Sequence, residues 1–88
     1  MIKQSTHYRH AVKAFRRELG LLLFQSRTGK KLTLDRVSKE TGFEVKALDR
    51  MESGKLHIIH MWCILKLLRY YGKKLSLSVE DYVPPRRE

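Results

Sequence analysis

The chain of 88 residues has one cysteine, two prolines and only 9 Asp+Glu against 19 Lys+Arg, and each shortage excludes something. One cysteine, Cys63, excludes an internal disulfide. It lies in an apolar stretch, where cysteine behaves as a small hydrophobe rather than a reactive thiol. The two prolines stand together at 84 and 85, so nothing earlier in the chain is broken by proline. No uninterrupted apolar run reaches the roughly 20 residues a spanning helix needs, and the basic residues are scattered, so a membrane role is not expected. The opening MIKQSTHYRH has no apolar core and no small-residue cleavage site of a signal peptide, which predicts a cytoplasmic protein. There is also no phosphate-cradling glycine loop, nucleophile elbow or spaced pair of acids, so an enzyme, a cofactor and a small-molecule substrate are not expected.

What the chain does have is charge of one sign. The formal net charge is +10, which favours encounter with a polyanion and makes nucleic acid the first candidate partner. A length of 88 residues allows one compact domain, or a protomer that completes its core against a partner.

The apolar periodicity divides the chain into a segment over 1–10, a helical domain over 11–72, a strand over 73–83 and a tail over 84–88. Ala11, Phe15, Leu19, Leu22 and Leu23 recur at helical spacing, predicting a first helix over 11–27 that Gly29 ends. Two short helices follow, with Gly42 at the turn between them and Gly54 as the stop. Thr33 can cap the second helix, and Asp35 suits its first turn. The stretch IIHMWCILKLLRYYG carries two apolar stripes. Ile58, Met61, Trp62, Leu65 and Leu68 form one; Ile59, Cys63, Ile64, Leu67 and Tyr71 form the other. A helix apolar over that much of its circumference is buried on two sides, and in so short a chain the second side is expected to meet another protomer. After Gly72 the period drops to two: Leu75, Leu77 and Val79 alternate with Ser76 and Ser78. A lone strand needs a partner, most economically the same strand of a second copy. Ile64, Tyr71, Leu75, Leu77 and Val79 are therefore the candidate contacts of a homodimer.

The stretch TLDRVSKETGFEVKALDRMESG is more specific than its parts. Thr33, Val37, Ser38, Gly42, Phe43, Leu48, Met51, Glu52 and Gly54 resemble the helix-turn-helix of the Cro/phage-repressor-like family, also called the Xre family. The resemblance runs from about Leu19 to Gly72, taking in ILKLLRYYG as the family's terminal helix and closing glycine. The strand after it is similar to that of the HipB-type antitoxin branch, which uses such a strand in dimer formation. The resemblance implies an all-α, lambda-repressor-like domain with a short C-terminal strand, acting as a dimeric regulator of transcription on double-stranded DNA. It also implies an ion pair between Arg27 of the first helix and Glu52 of the third. At the positions of Val45, Lys46 and Arg50 the family usually touches bases, and Asp49 shares their face. Arg50 suits guanine and Val45 a thymine methyl. Ser53 and Lys55 stand at the family's phosphate contacts. Lys30, Lys31, Thr33, Arg36, Lys39, the Leu34 N–H and His57 are the further backbone candidates.

Three residues depart from the family. Leu34 replaces a phosphate-bracing Gln, Glu44 replaces the Ser or Thr that caps the third helix, and Asp49 adds a carboxylate to the reading face. Ile59 and His60 also replace the usual Pro-Ser start of the last helix. The three departures favour a second reading, a protein-binding module that neutralises or assembles a partner such as a toxin. A basic RNA-associated protein without base preference is a third. His7-x-x-His10 and His57-x-x-His60 have a spacing that metals use, but no cysteine or acid accompanies them, so no metal is expected. Trp62 and Tyr71 read as core and interface aromatics.

Overall fold

A computed structural model describes residues 6–55, 61–81 and 83. Four helices follow one another: α1 over Thr6–Gly29, α2 over Leu34–Thr41, α3 over Val45–Glu52 and α4 over Met61–Tyr70. Among the described residues there is no strand, and the architecture is all-α.

The start of α1 differs from the sequence expectation. The helix begins five residues before Ala11, so the boundary at residue 10 falls inside it. Its last residue is Gly29, as expected, two residues beyond 27, and the closing turn that follows is made by Lys31. The Leu32 N–H reaches the Arg27 carbonyl at 3.2 Å, and Lys31 takes a left-handed φ of 56°. Gly54 and Gly72 do the same service after α3 and α4, each with φ 72°. There the Lys55 N–H meets the Arg50 carbonyl at 2.9 Å and the Lys73 N–H meets the Leu68 carbonyl at 2.7 Å. One closure thus recurs at three helix ends, twice with the residue that adopts it without strain and once with lysine.

The α2–α3 corner is compact. Thr33 caps α2 by accepting from the Arg36 N–H at 3.2 Å, and Gly42 turns the chain with φ 84° while its N–H closes on the Ser38 carbonyl at 2.9 Å. Behind the turn, Lys66 of α4 donates to the Thr41 carbonyl at 2.9 Å and lies over the Phe43 ring at 5.2 Å, holding the last turn of α2 against α4.

Every helix contributes to one core: Leu23 from α1, Val37 from α2, Leu48 from α3, and Ile64, Leu67 and Leu68 from α4, with Tyr71 just beyond it. Leu19, Leu32, Leu34, Phe43, Met51 and Leu75 pack around them. α1 and the end of α3 approach closely. A Cβ on Gly20 would stand 2.5 Å from the Met51 carbonyl oxygen and 2.6 Å from that of Glu52, and one on Gly54 would stand 3.1 Å from the Arg17 Cα. Only a missing side chain at residue 20 lets these two backbones meet.

The two stripes of α4 are buried unequally. Ile64, Leu67 and Tyr71 are sealed in the core, whereas of the other stripe Leu68 is buried and Met61, Trp62 and Leu65 remain about half exposed or more. Ile64 and Tyr71, expected from the sequence at a dimer contact, are 2% and 1% exposed within the single chain and belong to its core. Residues 73–81 leave the core in an irregular path in which Leu75 is half buried and Leu77 and Val79 are exposed. The tail over 84–88 lies outside the described residues.

Candidate nucleic-acid interface

Helix periodicity sets the face that α3 presents. Leu48 is 1% exposed in the core and Met51 packs beside it, so Val45, Lys46, Asp49 and Arg50 point away from the bundle, and all four are exposed. Among the described residues neither Lys46 nor Arg50 takes part in an ion pair, which leaves their charges available to a ligand.

α3 is fastened from behind at its far end. The Arg27 Nε donates to Glu52 at 2.7 Å and the second guanidinium nitrogen donates to the other carboxylate oxygen at 2.9 Å. A third donation, at 2.8 Å, satisfies the Leu32 carbonyl. The fork therefore ties α3 to both α1 and the turn that opens α2, and the Glu52 carboxylate raises the Arg27 pKa further above its ordinary value. Tyr71 lies close enough for the pair to act on it. Burial pushes its phenol up to about 12, with the Glu52 charge adding to the rise and Arg27 opposing it.

At the near end α3 has a weak start. Glu44 occupies the cap position with extended backbone and makes no side-chain capping bond. The first backbone bond of the helix runs from the Leu48 N–H to the Glu44 carbonyl at 3.0 Å, so the N–H groups of residues 45–47 precede the ladder. These donors sit beside Val45 and Lys46 on the exposed side.

The backbone candidates divide. Lys31, Thr33, Lys39 and Lys55 are exposed, and the Thr33 hydroxyl, which accepts from Arg36, keeps its own hydrogen for donation. Leu34 is half buried against the core and offers only its main-chain N–H. Arg36 is shared with Glu40 at 3.3 Å, and Glu40 also receives the Tyr70 hydroxyl. Lys30 leans over the C-terminal end of α4, its Nζ 3.6 Å from the place a Cβ on Gly72 would take. Ser53 is engaged within α3. Its hydroxyl turns back on the Asp49 carbonyl at 2.9 Å and its N–H on the same carbonyl at 3.0 Å, so both donors are spent closing α3. His57 lies outside the described residues, as does His60.

Three structural roles were not expected from the sequence: the close approach at Gly20, the left-handed turn at Lys31 and the bond from Lys66 to α2. Gly20 carried a signal, since a glycine inside an otherwise leucine-rich helical run weakens the helix unless something approaches closely. The left-handed Lys31 carried none, because lysine is not a residue expected there. Lys66 carried no signal of its own, because its role needs Thr41 and Phe43 to be in place. Among the described residues no group of three or more His, Cys, Asp or Glu side chains gathers as a metal site would require, and no helix is long and apolar enough to cross a membrane. No family model, curated protein or solved structure matches this chain.

Proposed function

We propose that the protein is a sequence-specific regulator that binds double-stranded DNA as a homodimer, with α2 and α3 as a helix-turn-helix and α3 in the major groove. The observation that carries this reading is the outer face of α3. Val45, Lys46 and Arg50 stand exposed, the two cations without an ion pair among the described residues, on a helix fixed from behind by Leu48, by the approach of Gly20 and by the Arg27–Glu52 fork. A rigid, short helix with a basic outer face is what a groove about 12 Å wide admits. Arg50 offers a fork for guanine O6 and N7, Val45 a contact for a thymine methyl, and Lys46 a base or phosphate contact. Asp49 accepts from a cytosine amino group or orients Arg50. Thr33, Lys31, Lys39 and Lys55 flank that face as phosphate donors, with the Leu34 N–H at the start of α2. In a dimer the two α3 helices meet half-sites about 34 Å apart.

Selection of bound fragments from random duplex DNA, at near-physiological salt with excess competitor, tests the reading. The expected result is an enriched inverted repeat. Binding that fades with salt and enriches nothing would leave only the +10 charge acting on polyanions, RNA included.

A second reading is favoured by one observation, the exposure of Trp62 at 63%, Met61 at 53% and Leu65 at 48% on α4. Three large apolar side chains on one stripe suit a protein partner such as a toxin. That contact lies on α4 and leaves the outer face of α3 open, so the two activities are compatible.

A further inference from the structure

Every residue of α1 from Tyr8 to Phe15 is exposed, and the helix reaches the core only at Leu19 and Leu23. Yet the exposed stretch is not polar. Tyr8, Val12, Phe15, Leu19 and Leu22 follow one another in alternating steps of four and three, the seam along which two α-helices pack. Tyr8, Val12, Phe15 and Leu22 are 64%, 41%, 54% and 50% exposed. Phe15, Leu19 and Leu22 line one side of a groove of about 250 Å³ whose lining also includes Met61 and Leu75. The charge beside this seam has one sign. Arg9, Lys13, Arg16 and Arg17 lie between Thr6 and Arg17 without an acid among them, and the first turn of the helix has none. Arg9, Lys13 and Arg17 succeed one another at i, i+4, where like charges repel, and none of the three is in an ion pair among the described residues. Cations near a helix N-terminus also oppose its dipole. Val12 and Phe15 thus lack apolar cover, and Arg9, Lys13 and Arg17 lack an anion.

We infer that the seam of α1 from Tyr8 to Leu22 is the docking surface for an acidic amphipathic α-helix of another protein. The alternating spacing calls for a helix with the same seam, matched over about 21 Å at a rise of about 1.5 Å per residue. The cations call for carboxylates beside that seam, which would also offset the repulsion along Arg9, Lys13 and Arg17. Three other occupants fit less well. A second copy of α1 brings the same cations and reaches no acid before Glu18. Nucleic acid meets the cations but gives Val12 and Phe15 no extended apolar complement. A lipid surface meets both, but the seam runs on into the groove beside Met61 and Leu75, which a flat face does not fill. None of these residues lies on the outer face of α3, so the inference does not depend on DNA binding.

The test uses a fluorescent synthetic peptide of about three heptads, with leucine along the seam and glutamate at the flanking positions, titrated with the full chain and read by anisotropy. Two controls accompany it: the same seam flanked by lysine, and a scrambled peptide of the acidic composition. The acidic seam peptide is expected to bind at least about tenfold more tightly than either control. Arg9→Glu with Lys13→Glu is expected to invert the preference, so that the lysine-flanked peptide binds and the glutamate-flanked one does not. Val12→Ser with Phe15→Ser is expected to abolish binding of both, with far-UV circular dichroism confirming the fold. If that pair fails to fold, the charge inversion still decides. Equal binding of the seam and scrambled acidic peptides leaves only charge at work and overturns the inference. So does a preference that survives Arg9→Glu with Lys13→Glu, or binding of none of the peptides. In that last case, partition into phosphatidylcholine and phosphatidylglycerol vesicles that is lost with Val12→Ser and Phe15→Ser would assign the seam to a lipid surface. Self-association lost with the same pair would assign it to a second copy. Selection of duplex DNA reads a different face, and either result stands without the other.

Discussion

At the scale of the residue, Gly20 sets two physical effects against each other. Glycine inside a helix costs about 1 kcal/mol relative to alanine, so propensity alone expects Gly20→Ala to stabilise. A Cβ there meets two backbone carbonyl oxygens at 2.5 and 2.6 Å, and backbone has nowhere to swing. We expect the clash to prevail, lowering stability by about 1–3 kcal/mol, and a urea titration reads the sign directly. Tyr71 carries a pH dependence. Its folded pKa of about 12 lies above the ordinary 10.0, so between these values the unfolded chain releases a proton that the folded one retains. Stability from this group is therefore complete below pH 10 and lost as pH rises toward 12, by on the order of 2–3 kcal/mol. Unfolding free energies of wild type and Tyr71→Phe, compared from pH 9 to pH 12, should show the steeper decline in wild type alone.

At the scale of the element, α3 is held firmly at one end and weakly at the other. Glu44 is long for a cap and makes no capping bond, whereas aspartate reaches the N–H groups of the first turn and keeps the charge that suits a helix N-terminus. Glu44→Asp is expected to raise stability by about 0.5–1 kcal/mol, seen as a higher urea midpoint with an unchanged slope; a lower midpoint would show that Glu44 is engaged in some other way. What was legible in the sequence also sorts by element. The α2–α3 corner was, because Thr33 and Gly42 announce their own backbone conformations. The turn that closes α1 was not, since a lysine in the left-handed region carries no compositional mark. The double stripe of α4 was visible, but which stripe enters the core depends on where α1 lies, and periodicity holds no information about that. Ile64 and Tyr71 went inward, and Met61, Trp62 and Leu65 stayed out.

At the scale of the whole molecule, the proposed function divides the work between charge and shape. A net charge of +10 favours encounter with a polyanion and would lend binding a steep salt dependence, but confers no preference among sequences. Under the proposal, preference comes from the outer face of α3, behind which stand the Arg27–Glu52 fork, Gly20 and Leu48. That Val45, Lys46, Asp49 and Arg50 share an exposed face was legible in the sequence. Their surroundings were not: Ser53 looked free until its donors were seen closed on the Asp49 carbonyl, and Arg36 until Glu40 was seen beside it. The measurement that tests the central claim most directly is the ratio of affinities for the enriched duplex and a scrambled one at fixed salt, in wild type and in Arg50→Ala. We predict that the ratio falls by about 5- to 150-fold, the equivalent of 1–3 kcal/mol, while affinity for the scrambled duplex changes little. A ratio left intact by Arg50→Ala would contradict the account and place base recognition, if any exists, elsewhere on the molecule.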